Sequence, residues 1–247
     1  MGQSELLKLN DTLSDYLFEN KFNKSFLYAP CVPDLYWSSK IKIAICNLET
    51  YCIDRDDYEK YQDIQTINNE TLQQWSYGNQ TIAKTFYINY CIRKTISGEL
   101  INIDSEQLRE LRRKTKIDDE IGDDMYQRMK ESLYFNFRYS ISKKPQTDRS
   151  YILGTYKNTD FFCNFYRNYI NAANLDILLI SGTLGVELIK IIYPELQDDF
   201  SFKGKPMTVG STIFVSIPHP SRISYKALSE RLYTISNFIT QNSKKGE

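Results

Sequence analysis

The sequence predicts a single α/β domain built around a mostly parallel sheet. Three observations carry that reading. Apolar runs rich in β-branched residues recur at 41–46, 175–180 and 212–217, and continuous apolar runs of this length suit strands buried on both faces. Segments with helical spacing separate them, as βαβ units require. Polar or turn-forming residues follow each run directly, where open α/β sheets place their chemistry.

Each element has its own signal. Leu6, Leu7, Leu13, Leu17 and Phe18 predict an amphipathic helix within residues 1–24. Residues 28–37 hold two prolines and read as a loop. The first strand, 41–46, ends at Asn47-Leu48-Glu49-Thr50-Tyr51. Residues 54–80 begin acidic, with Asp54, Asp56, Asp57 and Glu59, and read as a long surface loop leading to a helix over 79–95. The charged stretch 105–131 reads as helical. Residues 133–142 alternate, with Leu133, Phe135, Phe137 and Tyr139 on one face, and read as a strand. Phe161, Phe162, Phe165, Tyr169 and Ile170 follow helical spacing, with Thr159 or Asp160 as cap. The strand 175–180 turns through Ser181-Gly182-Thr183 into a helix over 184–192. The strand 212–217 ends at Pro218 and leads through His219 to a last helix carrying Leu228, Leu232, Ile235 and Ile239 on one face. Residues 243–247 read as a frayed tail.

Composition narrows the function classes. The chain has 247 residues, enough for one large domain, and its 41% hydrophobic and 25% charged content is globular. Lys+Arg and Asp+Glu are both 31, so a binder carried by a strongly basic surface is excluded while a local basic groove is not. Five cysteines at positions 31, 46, 52, 91 and 163 form no C-x-x-C pair, and a single histidine accompanies them. That argues against a zinc or iron–sulfur site and for reduced, buried thiols in a cytoplasmic protein. No metal or cofactor is expected. The apolar stretch 175–192 is broken by Asp176, Ser181-Gly182, Glu187 and Lys190 and cannot span a membrane. The N-terminus has no secretory leader, and Leu6 stands where a myristoylation signal needs Ser or Thr.

Four segments fall at predicted strand ends: 47–51, 136–138, 181–183 and 219–223. In a parallel sheet these ends converge on one edge, where a cleft forms. Their order and residues resemble the uracil-DNA glycosylase superfamily. His219-Pro220-Ser221-Arg222-Ile223-Ser224 is similar to the family's final motif, HPSPLS. Asn47-Leu48-Glu49-Thr50-Tyr51-Cys52 stands in place of its first motif, GQDPYH, with Gly, Gln and Pro replaced. Asn136 occupies the place of the asparagine that reads the uracil edge.

The resemblance spans roughly residues 25–240 and implies a three-layer α/β/α sandwich. It also implies DNA as partner, a monomer, and hydrolysis of the N-glycosidic bond of uracil or a related damaged base. On this reading Glu49 and His219 are catalytic. Asn136, Tyr51 and Asn47 bind the base. Ser221, Arg222, Ile223, Arg138, Lys143 and Lys144 contact DNA, with Ile223 as the wedge. In a bacterium the protein would be nucleoid-associated. The alternative is a degenerate member that binds nucleic acid or a nucleotide without cleaving it.

The chemistry asks for these residue types independently. Base loss builds positive charge on the sugar and negative charge on the base. A donor aimed at a base carbonyl and an anion beside the sugar answer both, and the base must first leave the stack. Each residue also has a bland reading. His219 can be structural, Glu49 a solvated loop carboxylate, Asn136 an outward strand residue and Tyr51 part of the core. Ser181-Gly182-Thr183 can hold a phosphate or simply cap a helix. The cluster Arg112-Arg113-Lys114-Lys116, flanked by Asp118, Asp119 and Glu120, reads better as a solvated helix face than as a DNA contact.

Overall fold

The apolar runs do become the strands of one sheet. The computed structural model describes residues 3–20, 35–47, 80–137, 148–196, 199–202, 204–220 and 222–243. Its strands are β1 (Ile43–Asn47), β2 (Ser132–Asn136), β3 (Ile177–Ser181), β4 (Met207–Val209) and β5 (Thr212–Ile217). They lie in the order β2-β1-β3-β5-β4, and every pairing is parallel except β4 with β5. Among the described residues the helices are α1 (Gln3–Glu19), α2 (Gln80–Ile96), α3 (Ser105–Ile117), α4 (Asp119–Lys130), α5 (Arg149–Asn158), α6 (Asp160–Ala173), α7 (Gly182–Ile192) and α8 (Tyr225–Ser243). None of them is long and apolar enough to cross a membrane.

Alternation along each strand feeds two cores. Ile43, Ile45, Ile177, Leu179, Val215 and Ile217 point to one face, where Tyr87, Ile88, Leu108, Leu228 and Leu232 from α2, α3 and α8 cover them. Ala44, Cys46, Leu133, Phe135, Leu178, Ile180 and Phe214 point to the other, under α1, α5, α6 and α7. The distribution follows the strand order. The connection from β1 to β2 runs one way along the sheet through α2, α3 and α4. The connections from β2 to β3 and from β3 to β5 run the other way, through α5, α6 and α7. Crossovers of one hand that travel in opposite directions must lie on opposite faces. The chain therefore leaves β1 and β3 toward opposite faces, and the topological switch point lies between these neighbours.

Local chemistry sets the boundaries. Asp118 ends α3 and caps α4, its carboxylate accepting from Ile121 N–H at 3.1 Å, so the charged stretch 105–131 forms two helices. Asp104 starts α3 with a reciprocal capping box with Gln107. Thr159 caps α6 through a bond from Phe161 N–H at 3.2 Å, and Asn174 closes it with φ 52 and ψ 54. Two elements lack an expectation from sequence. One is α5, capped by Asp148 and buried through Ile152 and Tyr156. The other is β4, which joins β5 through a two-residue hairpin with Gly210 at φ 60. Of the strand expected over 133–142, β2 covers the residues up to Asn136, Leu133, Phe135 and Phe137 share a face as the alternation requires, and residues 138–142 lie outside the described residues. On α1, Leu6, Leu13 and Leu17 are buried and Tyr16 stacks on Phe161 of α6 at 3.5 Å.

One close approach fixes the height of α7 above the sheet. A Cβ on Gly185 would lie 3.0 Å from Ile180 Cγ2 and 3.5 Å from the Phe137 ring. Gly185→Ala should therefore destabilise the protein. The overpacking costs about 1–3 kcal/mol, of which better helix propensity offsets at most about 1 kcal/mol. The check is a lower urea midpoint at unchanged slope. A midpoint at or above that of the wild type would mean that the helix lifts without cost.

Candidate functional site

The polar residues of the sheet gather at its C-terminal edge. Asn47 is the last residue of β1 and pairs in register with Asn136, the last residue of β2. Cys46 pairs with Ile180, so the next position across from Asn47 is Ser181, the last residue of β3. Ser181 in turn pairs with Ile217, the last residue of β5. By the pleat, Asn136, Asn47, Ser181 and Ile217 all face the side covered by α2 and α8. A row of two amides and a hydroxyl thus crosses three neighbouring strand ends, and His219 follows two residues beyond the fourth.

Backbone contacts hold these positions. Phe137 N–H donates to Asn47 O at 3.0 Å, carrying the β1–β2 ladder one residue past Asn136. The Tyr166 hydroxyl donates to Asn136 O at 2.7 Å and the Tyr156 hydroxyl to Phe137 O. The 219–223 turn closes on itself: Arg222 N–H and Ile223 N–H both donate to His219 O, at 2.8 and 3.1 Å. Ser224 then starts α8, its hydroxyl accepting from Ala227 N–H at 3.1 Å. The strand leading to His219 is clamped by Arg231 of α8. Its guanidinium donates to Ser216 O and Oγ and to Gly204 O.

Two side-chain atoms in the row are buried with no hydrogen-bond partner among the described residues: Asn47 Oδ1 and Ser181 Oγ. Each such atom costs about 1–3 kcal/mol. Ser181 stands at the N-cap of α7 yet makes no side-chain cap bond, because the chain passes straight from strand to helix through Gly182 at φ 75. Cys46, one residue before Asn47, is fully buried, and burial pushes its thiol well above the usual value. A thiolate nucleophile at this edge is therefore unfavourable.

His219 is partly buried, and its imidazole pKa is lowered, first by burial and then by the Arg222 guanidinium. At neutral pH the ring is uncharged and keeps one N–H to donate.

The sequence-predicted residues fall as follows. Asn47, Asn136 and His219 lie on one edge of the sheet. Asn136 and Ile217 end the outer two of the four parallel strands, about 14 Å apart by strand spacing, and His219 follows Ile217 by two residues. Arg222 is exposed. Ile223 is partly buried and packs against the core under α8. Glu49, Tyr51, Ser221, Arg138, Lys143 and Lys144 lie outside the described residues, as does the acidic stretch 54–59. Ser181 joins the row as a residue that sequence reasoning treated as a turn or cap. The basic cluster on α3 has local partners: Arg113 pairs with Glu110 at 2.6 Å and Arg112 lies over the Tyr87 ring at 5.1 Å. A water-sized cavity among Thr95, Asn102, Ser229 and Tyr233 lies at the far end of α2. That end is tied through Arg93 to Ser132, the first residue of β2, and so lies at the opposite edge of the sheet. Among the described residues no group of acidic, histidine and cysteine side chains could hold a metal ion.

The site thus belongs to an α/β protein with a five-stranded, mostly parallel sheet. No family model, curated protein or solved structure matches the chain.

Because the chain contains one histidine, its titration can be read without assignment. The imidazole signal should titrate below 6.5 and move upward in Arg222→Ala. The folded pKa is depressed, so the unfolded chain binds more protons between the two pKa values. His219 should therefore favour folding above pH 6.5, and that contribution should fade as pH drops toward the folded pKa. An NMR midpoint at or above 6.5 would contradict the burial assigned to the ring.

Proposed function

We propose that this protein is a DNA glycosylase that hydrolyses the N-glycosidic bond of uracil or a related damaged base. In this reading it has the three-layer, glycosylase-like architecture and acts as a monomer on DNA. One observation carries the reading: Asn136, Asn47 and Ser181 form a polar row on one edge of the sheet, and His219 follows two residues beyond the next strand end. Helices on both faces of the sheet support the architecture.

The chemistry follows from charge development. The flipped base enters at the strand ends, and the Asn136 amide meets its edge. The bond between the sugar carbon and the base nitrogen breaks, and its electron pair goes to the base. The His219 N–H donates to a base carbonyl oxygen and stabilises the anion as it forms. Keeping His219 neutral keeps this donor without bringing a cation into the site. Glu49 would lie by the sugar, favour the cationic carbon and take the proton of the attacking water. Arg222 and Ile223, with Ser221, Arg138, Lys143 and Lys144, would meet the DNA backbone and fill the gap left by the base.

A specific observation favours the second reading, a binder without hydrolysis. The chain is neutral overall, and on α3 Arg109, Arg112 and Arg113 are engaged locally, which leaves the exposed Lys114 and Lys116 as its basic surface for DNA. The deciding experiment incubates the purified protein with uracil-containing single- and double-stranded oligonucleotides, followed by alkali. The glycosylase reading expects strand cleavage at uracil, roughly 10²–10³-fold slower in His219→Ala. It expects a strong loss in Glu49→Gln with DNA affinity little changed, since that charge acts mainly in the transition state. Binding without base release would establish the second reading, and neither binding nor release would remove both.

A further inference from the structure

At the switch point, the partnerless oxygens of Asn47 and Ser181 are neighbours. Their residues end adjacent strands at the same level, face the same side, and lie about 4.8 Å apart by strand spacing. Ser181 is fully buried at 0% exposure. A buried serine at a helix N-cap ordinarily spends its oxygen on a backbone N–H of the first turn, and this one does not. Asn47 is one strand away with an amide oxygen in the same condition. Two such atoms side by side, where the chain departs to opposite faces, are a place for a ligand to supply what the fold leaves out.

We propose that Asn47 and Ser181 form a reading pair for the edge of a neutral amide or imide. A ligand N–H donates to Asn47 Oδ1, and a ligand carbonyl oxygen accepts from the Ser181 hydroxyl. The atoms restrict the chemistry. Asn47 Oδ1 only accepts, so the ligand must bring a donor. The Ser181 hydroxyl has no acceptor among the described residues and is free to donate. A phosphodiester brings acceptors alone and would set oxygen against the Asn47 oxygen, and inorganic phosphate brings a negative charge that neither side chain offsets. A keto base carries both groups on one edge, with N–H and C=O in a plane. The pair rests on the base-pocket reading of this edge but does not depend on hydrolysis.

The roles separate experimentally because the Asn47 Oδ1 and Ser181 Oγ atoms make no hydrogen bond among the described residues that removal would break. Full-length protein would be titrated by NMR with 1-methyluracil, with 1,3-dimethyluracil, which has no ring N–H, and with inorganic phosphate. The wild type should bind 1-methyluracil, bind 1,3-dimethyluracil roughly ten-fold more weakly, and show no competition from phosphate. Ser181→Ala and Asn47→Ala should each weaken 1-methyluracil binding roughly 3–10-fold, while the urea midpoint of Ser181→Ala stays level or rises. Binding equal to wild type in both variants, equal affinity for 1-methyluracil and 1,3-dimethyluracil, or no binding by wild type would overturn the pair. If the ligand pattern holds while no base is released from DNA, the glycosylase reading falls and the pair stands. If base is released and neither variant alters binding, the pair falls and that reading stands.

Discussion

Burial of the parallel strands on both faces is the constraint from which the rest follows. A strand covered on each side satisfies its backbone through the ladder and leaves no room for polar side chains in its middle. Polarity is admitted at the ends. At the lower end, Ser132 opens β2 inside a network with Asn89 and Arg93. At the upper end, Asn136, Asn47 and Ser181 close three strands in a row. Ser216 is the exception inside β5, and three carbonyl and guanidinium partners surround its hydroxyl. The same constraint sends helices to both faces, and the chain leaves the parallel neighbours β1 and β3 toward opposite faces, beside Asn47 and Ser181.

Much of the sheet was legible because burial on two faces writes itself as an apolar run. β5 spans 212–217 as its run does, and β1 and β3 differ from theirs by one or two residues. The helix over 79–95 is present as α2 at 80–96. The misses have physical causes. α5 holds Gly154 and Thr155 within ten residues and buries only Ile152 and Tyr156, so its periodicity is faint; its one clear signal is Asp148 as a cap. β4 has three residues and relies on its hairpin, for which Gly210-Ser211 was the available sign. The alternation past Asn136 suggested a strand to 142; the Tyr166 and Tyr156 hydroxyls take the carbonyls of Asn136 and Phe137, and residues 138–142 lie outside the described residues.

The site was legible in a different way. Asn136 and His219 could be placed by their position after strands, and the register brings them to one edge. Ser181 falls at a strand end by the same reading, but its side chain had no role beyond a phosphate-holding turn or a cap, because a serine before a glycine at a helix start reads as one. That its hydroxyl makes no cap bond is a fact of three-dimensional geometry, set by the positive φ of Gly182. Glu49 and Tyr51, which carry half of the expected chemistry, lie outside the described residues.

Arg231 has a consequence beyond the segment it clamps. β4 pairs with β5 only as far as Phe214, so from Val215 onward that side of β5 has no neighbouring strand among the described residues. A sheet margin of this kind is a template on which a second polypeptide can add itself. The Arg231 guanidinium and the carbonyls of Ser201 and Phe202 occupy the Ser216 backbone and hydroxyl instead. A cation lodged against the border of a sheet is a poor landing place for another chain's amides, and a costly one to displace. The short strand β4 and this one arginine together finish that margin of the sheet.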